Sequence, residues 1–177
     1  MNFYRLIIAL LFTGFIQACS TPEPAKKSTP SAPSAPTTST TPKAPELESA
    51  SLAPAVERDV LYYVNKHRES VGLPPLTFNA TVASLARKHS TDMASKKVPF
   101  GHQGLTNRTK SITAQMKSVT AVSENVARGV FTAEQAVKLW LKSPGHRKNI
   151  EGNFKYTGIG VARDQRSQLY FTQIFAN

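Results

Sequence analysis

The stretch YTGIGVARDQRSQLYFTQIFA, residues 156–176, decides the fold. Both of its flanks alternate and are rich in β-forming residues, and the connection from Asp164 to Ser167 is polar. That pattern predicts a β-hairpin. Upstream, the period changes. In 51–72, Val56, Val60, Leu61 and Val64 recur at three- and four-residue spacings, one apolar stripe of a helix with Pro54 in its first turn. Gly72 stops that helix, and Pro74 and Pro75 prevent its continuation.

A second helix follows in 78–97, capped by Asn79, with Val82, Leu85, Ala86, His89 and Met93 on its inner side. Residues 98–118 read as irregular with one short helix, and 119–130 give mixed signals. Thr132 and Gln135 fit a capping box for a third helix, whose apolar side is Ala136, Val137, Leu139 and Trp140. SPGHRKNI, 143–150, starts a short fourth helix with Ser143 as cap and Pro144 in first position. Helices first, strands last and no βαβ repeat predict an α+β fold, helices packed on an antiparallel sheet.

The amino-terminal third is of a different kind. Residues 1–19, MNFYRLIIALLFTGFIQAC, have a positive start at Arg5 and an apolar run from Leu6 to Ile16, the size of an export signal and short for a membrane span. The run ends in IQAC, which resembles a bacterial lipobox, and Cys19 is the only cysteine of the chain. No intramolecular disulfide is therefore available, and acylation is the use the context offers this thiol. The resemblance implies a lipidated Cys19 anchoring the protein to a membrane of the bacterial cell envelope. Ser20, rather than Asp, implies the outer membrane or cell surface. Residues 20–50 hold seven prolines, no aromatic residue and one leucine, the composition of a disordered, semi-extended tether.

The folded part, 51–177, carries 18 Lys and Arg against 8 Asp and Glu, a net charge of +10. That balance suits an anionic lipid surface or an acidic cell-wall polymer. Nucleic acid is excluded as a partner by the export signal and by the lack of a basic, base-reading helix.

Five blocks then come in a telling order: VNKHRESVGLPPLTFNATVASLARKHSTDM, GH at 101–102, SENVARG, VKLWLKSPGHRKNI, and GIGVA with YFTQIFA. Together they resemble the CAP superfamily (cysteine-rich secretory, antigen 5 and pathogenesis-related-1 proteins, or SCP-like), in its short bacterial branch, over about residues 56–176. The resemblance implies a three-layer α-β-α sandwich with a central antiparallel sheet. It also implies a cleft lined by two histidines and one or two acids. Carried over, His102 matches the first cleft histidine, Glu124 the acid and His146 the second histidine. A second glutamate often follows the third-helix tryptophan in secreted relatives. Here Trp140 is followed by Leu141, Lys142 and Ser143, so that acid is missing.

Two neutral imidazoles, His102 and His146, can offer nitrogen ligands to zinc or another divalent metal, with Glu124 as third ligand or as the group that orients a ring. The rival reading is a polar network of the same residues. A hydrolase needs more: HExxH and the GxSxG elbow are both absent, and Ser143 is explained as a cap. The expected role is therefore a non-enzymatic binding module for a small hydrophobic, lipid or cell-wall ligand, with a metal-dependent peptidase or esterase as the alternative. Asn65, Arg68, Asn125, Arg147 and Asn149 read as fold-specific donors, and His67 and His89 as packed rather than functional.

Overall fold

The computed structural model describes residues 44–177, with side-chain detail from residue 53. The signal, Cys19 and the tether as far as residue 43 lie outside the described residues. Among those described, no helix is long and apolar enough to cross a membrane.

The carboxy-terminal hairpin is present, β3 (Tyr156–Arg163) paired antiparallel with β4 (Leu169–Ala176). Asp164 closes the turn by accepting from the backbone N–H groups of Arg166 and Gln168. The segment of mixed signals is a third strand, β2 (Val122–Gly129), antiparallel to β4 along its whole length. A two-residue strand, β1 (Thr77–Phe78), lies alongside β3 in parallel, giving the order β1-β3-β4-β2. The sheet is thus mixed, which corrects the expected purely antiparallel one. The Pro74–Pro75 turn brings the chain back beside β3, where Thr77 and Asn79 donate to the carbonyls of Lys155 and Thr157.

Helices cover both faces, as a three-layer sandwich requires. α2 (Ala80–Ala94) lies on β3 and β4, while α1 (Ala44–Ser70) and α4 (Ala133–Lys142) pack together on the other side. α2 approaches β3 through Gly158 and Gly160. A Cβ at either position would collide with the helix backbone at Val82–Ala83 or Ala86–Arg87, so only glycine admits this contact. On the opposite face Val60, Val64, Val137, Trp140, Phe171 and Phe175 form the larger core. Full burial of such side chains stabilises by roughly 1.5–3 kcal/mol each relative to exposure. The Trp140 indole donates to the Val126 carbonyl, so its polar edge is satisfied as well.

Two of the three capping signals hold. Asn79 accepts from Val82 N, and Thr132 and Gln135 form the reciprocal box. Three details differ. α1 begins at Ala44, ahead of the boundary at residue 51, so Pro45 rather than Pro54 takes the first turn and Pro54 lies inside the helix. Leu139 is 48% exposed, because it stands off the buried 133/136/137/140 stripe. Ser143 occupies the cap position of α5 (Pro144–Ile150) without a side-chain capping bond, and Pro144 alone shapes the start.

Arg68 and Asn65 tie the loops to α1. The buried Arg68 guanidinium donates to the carbonyls of Pro74, Ile150, Gly152 and Phe154. Burial pulls its pKa down from the usual arginine value. Asn65 makes a two-way pair with the backbone of Leu76.

Candidate functional site

Strand alternation sets which way the site faces. Glu124 and Val126 point to the α2 face of β2, while Asn125, paired in register with Gln173, points to the other. β2 is the edge strand beyond β4, so residues from both faces meet around its rim.

On the α2 face, the Glu124 side chain is 0% exposed and accepts at both oxygens. His102 Nδ1 lies 2.9 Å from Oε1. Arg108, from α3 (Leu105–Gln115), donates through Nη2 to Oε1 and through Nε to Oε2, each at 2.8 Å. This two-pronged, charge-assisted geometry is the strong form of an Arg–carboxylate pair. His89 lies behind, its Nε2 at 2.8 Å from the Gly101 carbonyl and 3.9 Å from Glu124 Oε1. Burial holds the His89 pKa below the ordinary imidazole value, against the opposing pull of its bond to Gly101.

The loop carrying His102 is pinned residue by residue. His89 Nε2 donates to the Gly101 carbonyl, Leu105 N to His102 and Arg108 Nη1 to Gln103. Gly101 (φ 143°) and Gly104 (φ 79°) supply the left-handed backbone that allows this path.

His146 arrives from the opposite side. Asn125 Nδ2 donates to its carbonyl at 3.1 Å, and Asn149 donates to Asn125 Oδ1 and to the carbonyl of Glu124. These bonds stitch α5 onto β2 next to the acid. The His146 ring is half-buried, and its pKa is pushed down first by that burial and then by the nearby His102. The structure therefore puts His102 in direct contact with Glu124, and seats the backbone of His146 on β2 at the neighbouring Asn125. Among the described residues, the His146 ring itself makes no hydrogen bond to His102 or Glu124.

Sequence reasoning missed Arg108 and His89. Arg108 lies in the segment read as irregular, and no local pattern marks its reach to β2. His89 carried a signal in its place on the inner stripe of α2, and was read as packed. It is packed, but against the site. His67, by contrast, pairs with Glu151 at 2.8 Å on the other side of the sheet, near Arg68. Gln173 lies on the face away from Glu124 and donates to Thr157 Oγ1. Glu134, the one acid of α4, is paired with Lys138 on the exposed side of that helix and does not take the missing acid's place.

The chemistry follows from the donors. A carboxylate only accepts, so the hydrogen between His102 and Glu124 sits on Nδ1. In a neutral ring Nε2 then carries a lone pair, and the His102 side chain is 47% exposed. It can accept a hydrogen bond, or a proton, from something in the cleft. A metal held by both rings and Glu124 together fits poorly. Catalytic zinc takes three protein ligands, and both oxygens of the candidate third ligand are already engaged by Arg108 and His102. The guanidinium would also repel a cation there: like unit charges about 4 Å apart repel by about 4 kcal/mol at an effective permittivity near 20. Among the described residues, no group of three or more His, Cys, Asp or Glu side chains is placed to hold a metal ion. A groove of about 410 Å³ adjoins the site between α2 and α3, lined by Leu85, His89, Val98, Gln103, Asn107 and Arg108 among others.

Known proteins share this arrangement of elements. The model of the cysteine-rich secretory protein family, CAP, matches residues 61–175. The uncharacterized protein YkwD of Bacillus subtilis is 35% identical over 157 residues, covering 82% of this chain. The chain spans only 60% of that relative's length. Among solved structures, an extracellular protein containing an SCP domain from Bacillus anthracis is 26% identical with a TM-score of 0.64, over 81% of this chain and 45% of that one. An outer surface protein of Borrelia burgdorferi superposes with a TM-score of 0.59 at 16% identity, over 70% of this chain and 92% of that one, a likeness of fold.

Proposed function

The chain belongs to the cysteine-rich secretory protein (CAP) family, and on that premise we propose that it is an exported binding module held in the cell envelope by a lipid on Cys19. The cleft at His102, Glu124 and His146 receives the ligand, a small hydrophobic molecule, a lipid or a cell-wall fragment. The observation that carries this reading is the mounting of His102. Its ring is half exposed, yet its orientation is fixed by a carboxylate that is itself locked by Arg108. A rigid imbedded acceptor beside a groove suits recognition, because little ordering entropy is lost on binding. The extracellular relative from Bacillus anthracis supports export, and the excess of basic residues in the domain supports an anionic surface nearby.

The test is capture by the full chain in detergent. Radiolabelled envelope lipids and wall fragments are presented to wild type, His102→Ala and His146→Ala. At least a tenfold loss of capture is expected in both variants, with unchanged far-UV circular dichroism. Equal capture by all three would remove the cleft from the account. Feeding cells an acyl-chain precursor checks the anchor separately, since label should enter wild type and not Cys19→Ala.

A further inference from the structure

The acid of the cleft is not available to a ligand. Its side chain is fully buried, one oxygen shared by His102 and Arg108 and the other taken by Arg108. Arg108 is itself only 10% exposed and also donates to the Gln103 carbonyl, so swinging it aside would cost that bond to the loop that carries His102 as well. The group left facing outward is His102 Nε2, for which no partner exists among the described residues. His146 adds a second, half-buried ring, whose pKa burial pushes down.

We propose that Arg108 is the resident cation of this cleft: it holds the place on Glu124 that a divalent metal would need, and leaves His102 to bind an uncharged ligand through a hydroxyl or amide N–H donated to Nε2. This deepens the binding reading above and rests on it. A carboxylate with its charge balanced by a guanidinium offers a cation nothing to neutralise, and the domain's surplus of positive charge disfavours cations further. A ring whose Nδ1 hydrogen is committed to that carboxylate has a lone pair at its outer nitrogen; with both Glu124 oxygens engaged and no group of three ligands among the described residues, its complement is a hydrogen-bond donor rather than a metal.

The experiment uses the full chain in detergent with its histidines labelled by nitrogen-15, at about pH 8, above the ordinary imidazole pKa of about 6.5. Ring-nitrogen spectra should show His102 protonated at Nδ1, and ten equivalents of zinc should leave the signals of His102 and His146 in place. In Arg108→Gln, which removes the charge and keeps a hydrogen-bonding side chain, both rings should shift saturably, with zinc bound at least about tenfold more tightly than in wild type. Wild-type rings that move at one equivalent of zinc would overturn the inference, as would a folded Arg108→Gln that gains nothing. A His102 ring protonated at Nε2 would overturn the ligand class. The wild-type arms decide even if Arg108→Gln fails to fold. Zinc binding by wild type leaves ligand capture by the cleft standing, whereas capture that ignores His102 removes the binding reading and leaves the spectra as they are.

Discussion

Two buried carboxylates, each gripped by an arginine, sit at opposite edges of the sheet and do different things. Glu57 on α1 takes Arg87 of α2 in a two-pronged pair, and Oε1 also accepts from the Val161 backbone N–H. α1 and α2 lie on opposite faces, so this pair reaches around the free edge of β3, which β1 covers only at Tyr156 and Thr157. The third partner of Glu57 is thus main chain, and the assembly closes an edge that would otherwise invite another strand. Glu124 has the same grip from Arg108, but its third partner is an imidazole that reaches solvent. Identical chemistry serves closure at one edge and presentation at the other, and the third partner makes the difference.

If that contrast is right, Glu57→Ala should give the largest loss of stability, about 2–3 kcal/mol by urea denaturation. That is below the roughly 3–5 kcal/mol for removing one partner of a fully buried pair, since Arg87 is 46% exposed. Ligand capture by the folded fraction should be unchanged. A matching loss of capture would mean the two edges are coupled.

A smaller effect should come with acid. His89 is buried and its pKa is depressed, so the unfolded chain takes up protons below about pH 6.5 that the folded chain resists. Stability is therefore full above that pH and falls as pH drops through it. Protonated His89 would face Arg108 on one side, with Glu124 and Asp92 as partial compensation. His146 contributes in the same direction. Urea midpoints at about pH 7.5 and pH 5.5 should differ in wild type, and the difference should shrink in His89→Gln. An unaltered slope in that variant would assign the dependence elsewhere.

The smallest effect should be at Leu139, outside both carboxylate sites. Leu139→Ser should stay within about 0.5 kcal/mol of wild type in the same assay, as exposed positions do. A larger loss would mean that α4 is covered by something on that side.

Much of this was legible in the residues. The hairpin announced itself by alternation, and the helices with a side-chain cap, Asn79 and Thr132–Gln135, began where those caps sit, because capping is local chemistry. His102 and Glu124 could be paired only through the resemblance, since nothing in a span of twenty-odd residues encodes their contact. What escaped was what depends on tertiary approach. β1 is two residues after a proline pair, too short for any periodicity. Arg108 acts through a long side chain that crosses from α3 to an edge strand. Leu139 belongs to an apolar run whose helical phase, not its hydrophobicity, decides burial.

Arg68 has a consequence for where such a domain can work. Its guanidinium gathers peptide oxygens from the loop after α1 and from the turn after α5, joining segments some eighty positions apart. Small exported folds commonly rely on sulfur–sulfur crosslinks for that duty. A knot made of an ever-charged side chain and main-chain carbonyls answers to neither thiols nor oxidants. The domain should keep its shape unaltered across media whose redox poise would open or scramble a cystine-built relative.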